Sequence, residues 1–103
     1  MKVSANYIKT ISWNTKDITA GEKLEGEFIK TETFEGNYGE VTKYIIKHEG
    51  EYYGVFGSAS LDRQFKNIKE GSYVWIEFKG TETTKQGRTV KVYTVEYDPE
   101  YQA

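Results

Sequence analysis

Two lysines and two aromatic residues fall on one face of a predicted β-hairpin. The dipeptide Glu49-Gly50 separates two segments of alternating character, residues 43–48 and 51–56, and suits a two-residue turn. In that register the directly opposed pairs on one face are Lys43 with Phe56, Ile45 with Gly54, and Lys47 with Tyr52. Ammonium groups neutralise phosphates and aromatic rings stack on bases, so the combination is typical of a surface that binds a single nucleic-acid strand.

The opposite face of the same hairpin is predicted to be part of a core. It pairs Ile46 with Tyr53 and Tyr44 with Val55. A slip of one residue would exchange the two faces, so the predicted binding surface depends on this register.

Further candidate contacts lie in two other segments. Phe34 and Tyr38 flank a predicted flexible loop, Glu35-Gly36-Asn37-Tyr38-Gly39, and are candidates for stacking on bases. Basic residues around a second predicted turn, at Gln86-Gly87, are candidates for phosphate contacts, although charged hairpin tips also serve solubility. The predicted nucleic-acid site comprises Phe34, Tyr38, Lys43, Lys47, Tyr52, Phe56, Lys79, Lys85, Arg88 and Lys91.

The net charge of the chain argues against nucleic-acid binding, but the distribution of the charges weakens that argument. The chain of 103 residues has a formal net charge of −2, whereas nucleic-acid-binding proteins are commonly basic. The acidic residues are concentrated in residues 22–27 and 96–100, whereas the basic residues around the second hairpin, Lys79, Lys85, Arg88 and Lys91, face only Glu82. A protein with one acidic and one basic side can still bind a polyanion.

Catalysis, a metal site and a cofactor are not expected. The chain has one histidine, His48, and no cysteine, and the glycines at 36 and 39 lack the lysine and helix of a phosphate-binding loop. The absence of cysteine fits a reducing compartment, and we identify neither a signal peptide nor a membrane span. The predicted location is the cytoplasm.

The order of predicted elements is strand, strand, strand, helix, strand, strand. The first strand runs from Leu24 to Phe28, and Gly26 within it indicates a bulge or bend. The apolar residues Leu61, Phe65 and Ile68 are spaced as on one side of a short helix. The fourth and fifth strands are predicted at residues 73–83 and 89–97.

The second hairpin has its own predicted register. A turn at Gln86-Gly87 pairs Phe78 with Val95, Ile76 with Tyr97, and Glu77 with Glu96. Trp75 then points away from the core, and we expect it to pack under the N-terminal segment near Trp13 or at a subunit interface.

This element order predicts an all-β fold with one short helix, namely a five-stranded OB-fold barrel with the helix between the third and fourth strands. An SH3-like barrel is the main rival, and the helix favours the OB-fold. The predicted organisation is an irregular segment at 1–21, the OB-fold domain at 22–98 and a short tail at 99–103.

Four stretches of the chain resemble the small OB-fold single-stranded DNA-binding proteins of bacteriophages. They are Leu24-Glu25-Gly26-Glu27-Phe28, Phe56-Gly57-Ser58-Ala59-Ser60-Leu61, Gly71-Ser72-Tyr73-Val74-Trp75-Ile76-Glu77, and Gly87-Arg88-Thr89-Val90-Lys91-Val92-Tyr93-Thr94-Val95. The resemblance implies a role in DNA replication or recombination, in a host cytoplasm, with proteins of those processes as partners. The tail after residue 98 is shorter than the partner-recruiting tails of cellular proteins of this type.

The hypothesis from sequence is therefore a non-enzymatic protein that binds single-stranded DNA without strong sequence preference. A homo-oligomer is also expected, because tight coating of a strand needs more than one short groove. Two alternatives remain: a protein–protein adaptor that uses Trp75 and the tyrosines, and a domain that binds RNA or an oligosaccharide.

Overall fold

The structure, a computed structural model, describes residues 9–14, 17–36 and 39–100. It is mostly β-sheet with one short helix, as predicted. The elements are β1 (Ile11–Ser12), β2 (Lys23–Gly36), β3 (Gly39–His48), β4 (Glu51–Phe56), α1 (Ala59–Phe65), β5 (Tyr73–Thr83) and β6 (Thr89–Asp98). The strands form one sheet in the order β1-β4-β3-β2-β5-β6.

The sheet differs in two ways from the predicted five-stranded barrel. A short strand, β1, lies within the segment predicted to be irregular and pairs in parallel with β4. Within the described ranges, the strand pairs do not include one between β4 and β6, which would close a barrel. The predicted strands one to five correspond to β2–β6.

The hairpin of β2 and β3 is longer than predicted. β2 continues through Phe34 to Gly36, which pairs with Gly39, so most of the predicted flexible loop is strand. The predicted irregularity in this strand is a register shift at Ile29, between Phe28 and Lys30. Gly26 has a different role, because a Cβ there would collide with the backbone carbonyl oxygen of Lys47.

The predicted register of the β3–β4 hairpin is confirmed. Lys43 pairs with Phe56, Ile45 with Gly54 and Lys47 with Tyr52. The turn residues Glu49 and Gly50 both have positive φ, 49° and 83°, which is the conformation of a type I′ hairpin turn. Its backbone twist matches the twist of the flanking strands and fixes the register.

The predicted register of the β5–β6 hairpin is wrong by two residues. Phe78 pairs with Tyr93 and Ile76 with Val95, so Glu77 faces Thr94 rather than Glu96. One residue of the difference arises in the loop, where Thr83 pairs with Thr89 and a longer turn replaces the two-residue one. The other arises at the register shift between Phe78 and Gly80. The two shifts together preserve which face each residue occupies.

The helix α1 lies on the core as its spacing predicts. Ser58 caps its first turn, and Leu61, Phe65 and the following Ile68 are all buried. The Phe65 ring stacks on that of Tyr44 at 4.2 Å and meets that of Phe28 edge-on at 5.1 Å. Within the described part of the chain, no helix is long and apolar enough to cross a membrane.

Side-chain amides bind backbone groups of β6, an edge strand, and of Phe56 at the end of β4, beyond the residues that pair with β1. The Asn14 side chain donates to the Phe56 carbonyl oxygen (2.8 Å) and accepts from the Phe56 N–H (2.9 Å) on β4. On β6, the Gln64 amide donates to the Tyr93 carbonyl oxygen (2.8 Å) and accepts from the Val95 N–H (2.9 Å). Asn14 also donates to the Tyr93 hydroxyl at 3.2 Å, so one residue connects β4 with β6.

Candidate nucleic-acid interface

The surface predicted to bind nucleic acid is formed by alternate residues of β3 and β4. We call it the β3–β4 face and define it by the paired residues Lys43, Ile45, Lys47, Tyr52, Gly54 and Phe56. Because β2 pairs with β3, the face continues onto Glu32 and Phe34, which lie opposite Lys43 and Val41.

Aromatic rings lie towards both ends of this face. At one end Phe34, 44% exposed, meets the half-buried Phe56 edge-on with ring centroids 6.2 Å apart. At the other end the Lys47 ammonium lies 5.8 Å from the centre of the Tyr52 ring. The predicted stacking residues Phe34, Tyr52 and Phe56 therefore share one surface, and the Lys47 side chain is exposed beside them.

Lys43 differs from the exposed lysine expected of a phosphate contact. Its side chain is 8% exposed, and Nζ lies 3.2 Å from Glu32 Oε1. It also donates to Thr10 Oγ1 at 3.2 Å. A buried ammonium group with a carboxylate partner has its charge largely neutralised locally, so Lys43 positions neighbouring groups rather than presenting a charge to solvent.

The pKa of Glu32, whose carboxylate pairs with Lys43, is lowered. Burial works to raise the pKa of Glu32, but hydrogen bonds and charges from Lys43 and Lys30 outweigh it, so that the pKa lies below its ordinary value. The Lys30 ammonium lies 3.4 Å from the same carboxylate. Glu32 therefore holds two lysines of the predicted site region in fixed positions.

The absence of a side chain at Gly54 makes room for this arrangement. A Cβ at Gly54 would lie 2.9 Å from Lys43 Cδ and 2.9 Å from Thr10 Oγ1. Ile45, the partner of Gly54, is fully buried although it belongs to this face. The middle of the β3–β4 face is therefore filled, and its accessible aromatic groups lie towards the ends.

The basic residues of the second hairpin form a separate group. Lys85 and Arg88 are exposed in the loop between β5 and β6. Lys79 is exposed but lies 3.5 Å from Glu77, and Lys91 is half-buried. β2 and β3 separate this hairpin from β4 in the sheet, so strand pairing does not bring its residues next to Tyr52 or Phe56.

One predicted residue, Tyr38, lies outside the described residues. Sequence reasoning also missed Glu32, the partner of Lys43. A two-residue turn at 37–38 would have placed Glu32 opposite Lys43, but the first strand was predicted to end at Phe28. Among residues 9–14, 17–36 and 39–100, no group of three His, Cys, Asp or Glu side chains is placed to hold a metal ion.

No protein-family model matches this chain, and searches of curated proteins and of solved structures find no match.

Proposed function

We propose that the chain binds single-stranded DNA without strong sequence preference through the β3–β4 face and the adjoining end of β2. The observation that carries the proposal is the shared surface of Phe34, Phe56 and Tyr52 with Lys47 beside them. Each of these rings has a π-face that stacks on any base, which gives binding without sequence specificity. The exposed ammonium of Lys47 supplies a phosphate contact at one end of the face.

The strand order supports an OB-type barrel that is only partly closed. The antiparallel ladder β4-β3-β2-β5-β6, with a helix between β4 and β5, has the order of elements of that fold. In the part of the chain that the structure describes, β4 and β6 are not paired with each other. We propose that Asn14, β1 and the side chains of α1 take the place of that pair. The β3–β4 face is then the surface through which such barrels bind oligonucleotides.

The phosphate contacts are proposed to come from Lys47 together with the exposed Lys85 and Arg88 of the second hairpin. Lys43 is assigned a positioning role, because its ammonium is paired with Glu32. Lys79 and Lys91 remain proposed contacts of the same hairpin. Fluorescence titration of labelled oligo-dT and oligo-U of equal length distinguishes the proposed DNA ligand from the RNA alternative.

The salt dependence of oligo-dT binding tests the proposal. Each phosphate contact to a single strand contributes about −0.7 to the slope of log K against log salt concentration. Arg88→Ala should therefore make the slope shallower by roughly one contact. Arg63→Ala is the matched control, because Arg63 is an exposed arginine on α1. Binding that does not change with salt, or equal effects of the two variants, would contradict the proposal.

A further inference from the structure

A second surface carries an exposed tryptophan. It lies on β2 and the two strands beyond it, β5 and β6, whereas β3 and β4 lie beyond the other edge of β2. We call it the β2–β5–β6 face and define it by three rows of directly paired residues. The rows are Lys23, Glu77 and Thr94; Glu25, Trp75 and Glu96; and Glu27, Tyr73 and Asp98. Trp75 occupies the middle of this array, with a glutamate on each neighbouring strand.

The aromatic groups of this face are ordered and accessible. Trp75 is 44% exposed, and its ring lies 4.8 Å from that of Tyr73. The Tyr73 hydroxyl donates to Glu25 Oε2 at 3.0 Å, which fixes a carboxylate beside the ring pair. Trp13, expected from sequence to lie near Trp75, lines the same cleft as Trp75, and its ring also contacts that of Tyr93 at 6.3 Å.

A cleft of about 570 Å³ adjoins the same residues. Its lining includes three aromatic and three acidic residues: Trp13, Tyr53, Trp75, Glu25, Glu77 and Glu96. Aromatic faces attract cations through their quadrupole, and arginine or lysine bound over tryptophan is the most favourable case. Carboxylates around such a ring add a charge-assisted hydrogen-bond partner.

The charge of this face disfavours the nucleic acid proposed for the β3–β4 face. Its nine residues include five carboxylates and one lysine, a formal charge of −4. Phosphates are repelled by such a surface, whereas a cationic segment is attracted. An exposed tryptophan is also among the residues that contribute most at protein interfaces.

We propose that the β2–β5–β6 face docks an arginine- or lysine-rich segment of another protein. A guanidinium or ammonium group of the segment lies over Trp75, and Glu25 and Glu96 pair with it or with its neighbours. This surface meets the proposed DNA-binding surface at the directly paired residues Glu27 and Lys47. The residues proposed to hold the cation lie on the β5–β6 side of that pair, in the row of Glu25, Trp75 and Glu96.

A labelled octa-arginine peptide is the probe. Trp75→Ala should weaken its binding by about fivefold or more, because one cation–π contact is lost. Tyr97→Ala is the control, since Tyr97 is 43% exposed on β6 but lies on the opposite face from Glu96. Fluorescence anisotropy gives both affinities, and near-ultraviolet circular dichroism verifies that each variant is folded.

A charge-matched pair of double variants separates docking from general attraction to an acidic protein. Glu25→Gln with Glu96→Gln should weaken octa-arginine binding by about tenfold, the worth of two charged contacts at an exposed site. Glu35→Gln with Glu40→Gln removes the same charge from the β2–β3 hairpin and should change binding less than twofold. Equal losses in the two double variants, or no effect of Trp75→Ala, would overturn the proposal.

Two further measurements identify the occupant. The sedimentation coefficient of the protein alone should be unchanged by Trp75→Ala. If wild type is a dimer and the variant is not, a second copy of the chain occupies the face, which would overturn the proposal. Oligo-dT affinity should not fall in the Glu25→Gln, Glu96→Gln variant. A fall would mean that this face binds DNA, which would also overturn the assignment of a basic partner.

Discussion

At the scale of single residues, Tyr52 and Tyr53 are neighbours in sequence with opposite environments. Tyr52 lies on the β3–β4 face beside Lys47, whereas Tyr53 packs against the hydrophobic core. Two similar side chains one position apart therefore have different assigned roles, a proposed binding role for Tyr52 and a structural role for Tyr53. Phe56 belongs with Tyr52, because residues two apart on a strand share a face.

Alanine variants of these residues should separate the two roles. Tyr52→Ala and Phe56→Ala should each weaken oligo-dT binding by about 1–3 kcal/mol, the worth of one stacked base, with little loss of stability. Tyr53→Ala is the control and should lower the melting temperature, affecting DNA binding only through that loss. A stable Tyr53→Ala variant that no longer binds oligo-dT would contradict the assignment of the faces.

Glu32 gives a prediction for pH dependence. Glu32→Gln should lower the free energy of unfolding at neutral pH by about 1.5–3 kcal/mol, since a charged partner of the buried Lys43 is lost. The folded pKa of Glu32 lies below the ordinary value of 4.5, so its stabilisation is present above that value and lost as the pH falls through the folded pKa.

Urea unfolding of both proteins between neutral pH and pH values below the ordinary glutamate pKa measures this effect. The difference between wild type and Glu32→Gln should shrink as the pH falls. Glu40→Gln, an exposed change on the next strand, should show no such convergence. A difference that stays constant with pH would mean that Glu32 is not the titrating partner of Lys43.

The Lys43–Glu32 pair also shows where residue-level inference from sequence stops. Alternation placed Lys43 on the correct face, and the structure confirms that register. Its burial depends on a carboxylate from β2 and on Thr10, which lies 33 positions away along the chain. Periodicity reports the face of a strand, but the contacts across that face are set by tertiary structure.

At the scale of elements, the two hairpins differ in how strongly their turns determine register. In the β3–β4 turn, a glycine at the second position favours one two-residue geometry, so the register could be predicted. The β5–β6 loop is longer, and β5 contains a register shift next to Gly80. Neither the longer loop nor the register shift visibly disturbs the alternation of apolar and polar residues in the sequence. The alternation alone therefore could not reveal them.

The helix is an element whose packing was predictable from spacing, and it can be tested. Phe65→Ala should lower the free energy of unfolding by about 3–5 kcal/mol, as for other buried rings, because contacts with Tyr44 and Phe28 are lost. Lys66→Ala is the neighbouring control and should be nearly silent, since Lys66 is exposed. Urea melts of the two variants provide the comparison, and equal losses would mean that the helix is placed wrongly.

At the scale of the whole molecule, the open side of the sheet is held by amide side chains. Asn14 donates one hydrogen bond to the backbone of β4 and accepts one from it, and Gln64 does the same with β6. A neighbouring strand would make the same kind of paired contacts. These contacts satisfy edge groups that would otherwise be available for pairing with another chain. The sequence-based expectation of an irregular segment at 1–21 missed this role, because a single asparagine carries no periodic signal.

Asn14→Ala tests this role. The change removes both contacts with Phe56 and the one with Tyr93, and should lower the free energy of unfolding by about 1–3 kcal/mol. Asn67→Ala, an exposed asparagine beyond the helix, is the matched control and should have little effect. Hydrogen exchange of the Phe56 amide should accelerate in Asn14→Ala alone, and unchanged exchange would contradict the role of Asn14.

The Asn14–Tyr93 contact has a consequence for the order of folding. The two residues are 79 positions apart, so the contact closes a loop that contains most of the chain. During synthesis, Asn14 leaves the ribosome early, but Tyr93 becomes available only after the four intervening strands, β2 to β5, and the helix have emerged. The β3–β4 hairpin, whose partners are close in sequence, forms without waiting for β6. The face proposed to bind DNA is thus assembled from early, local contacts, and the contact of Asn14 with β6 is completed last.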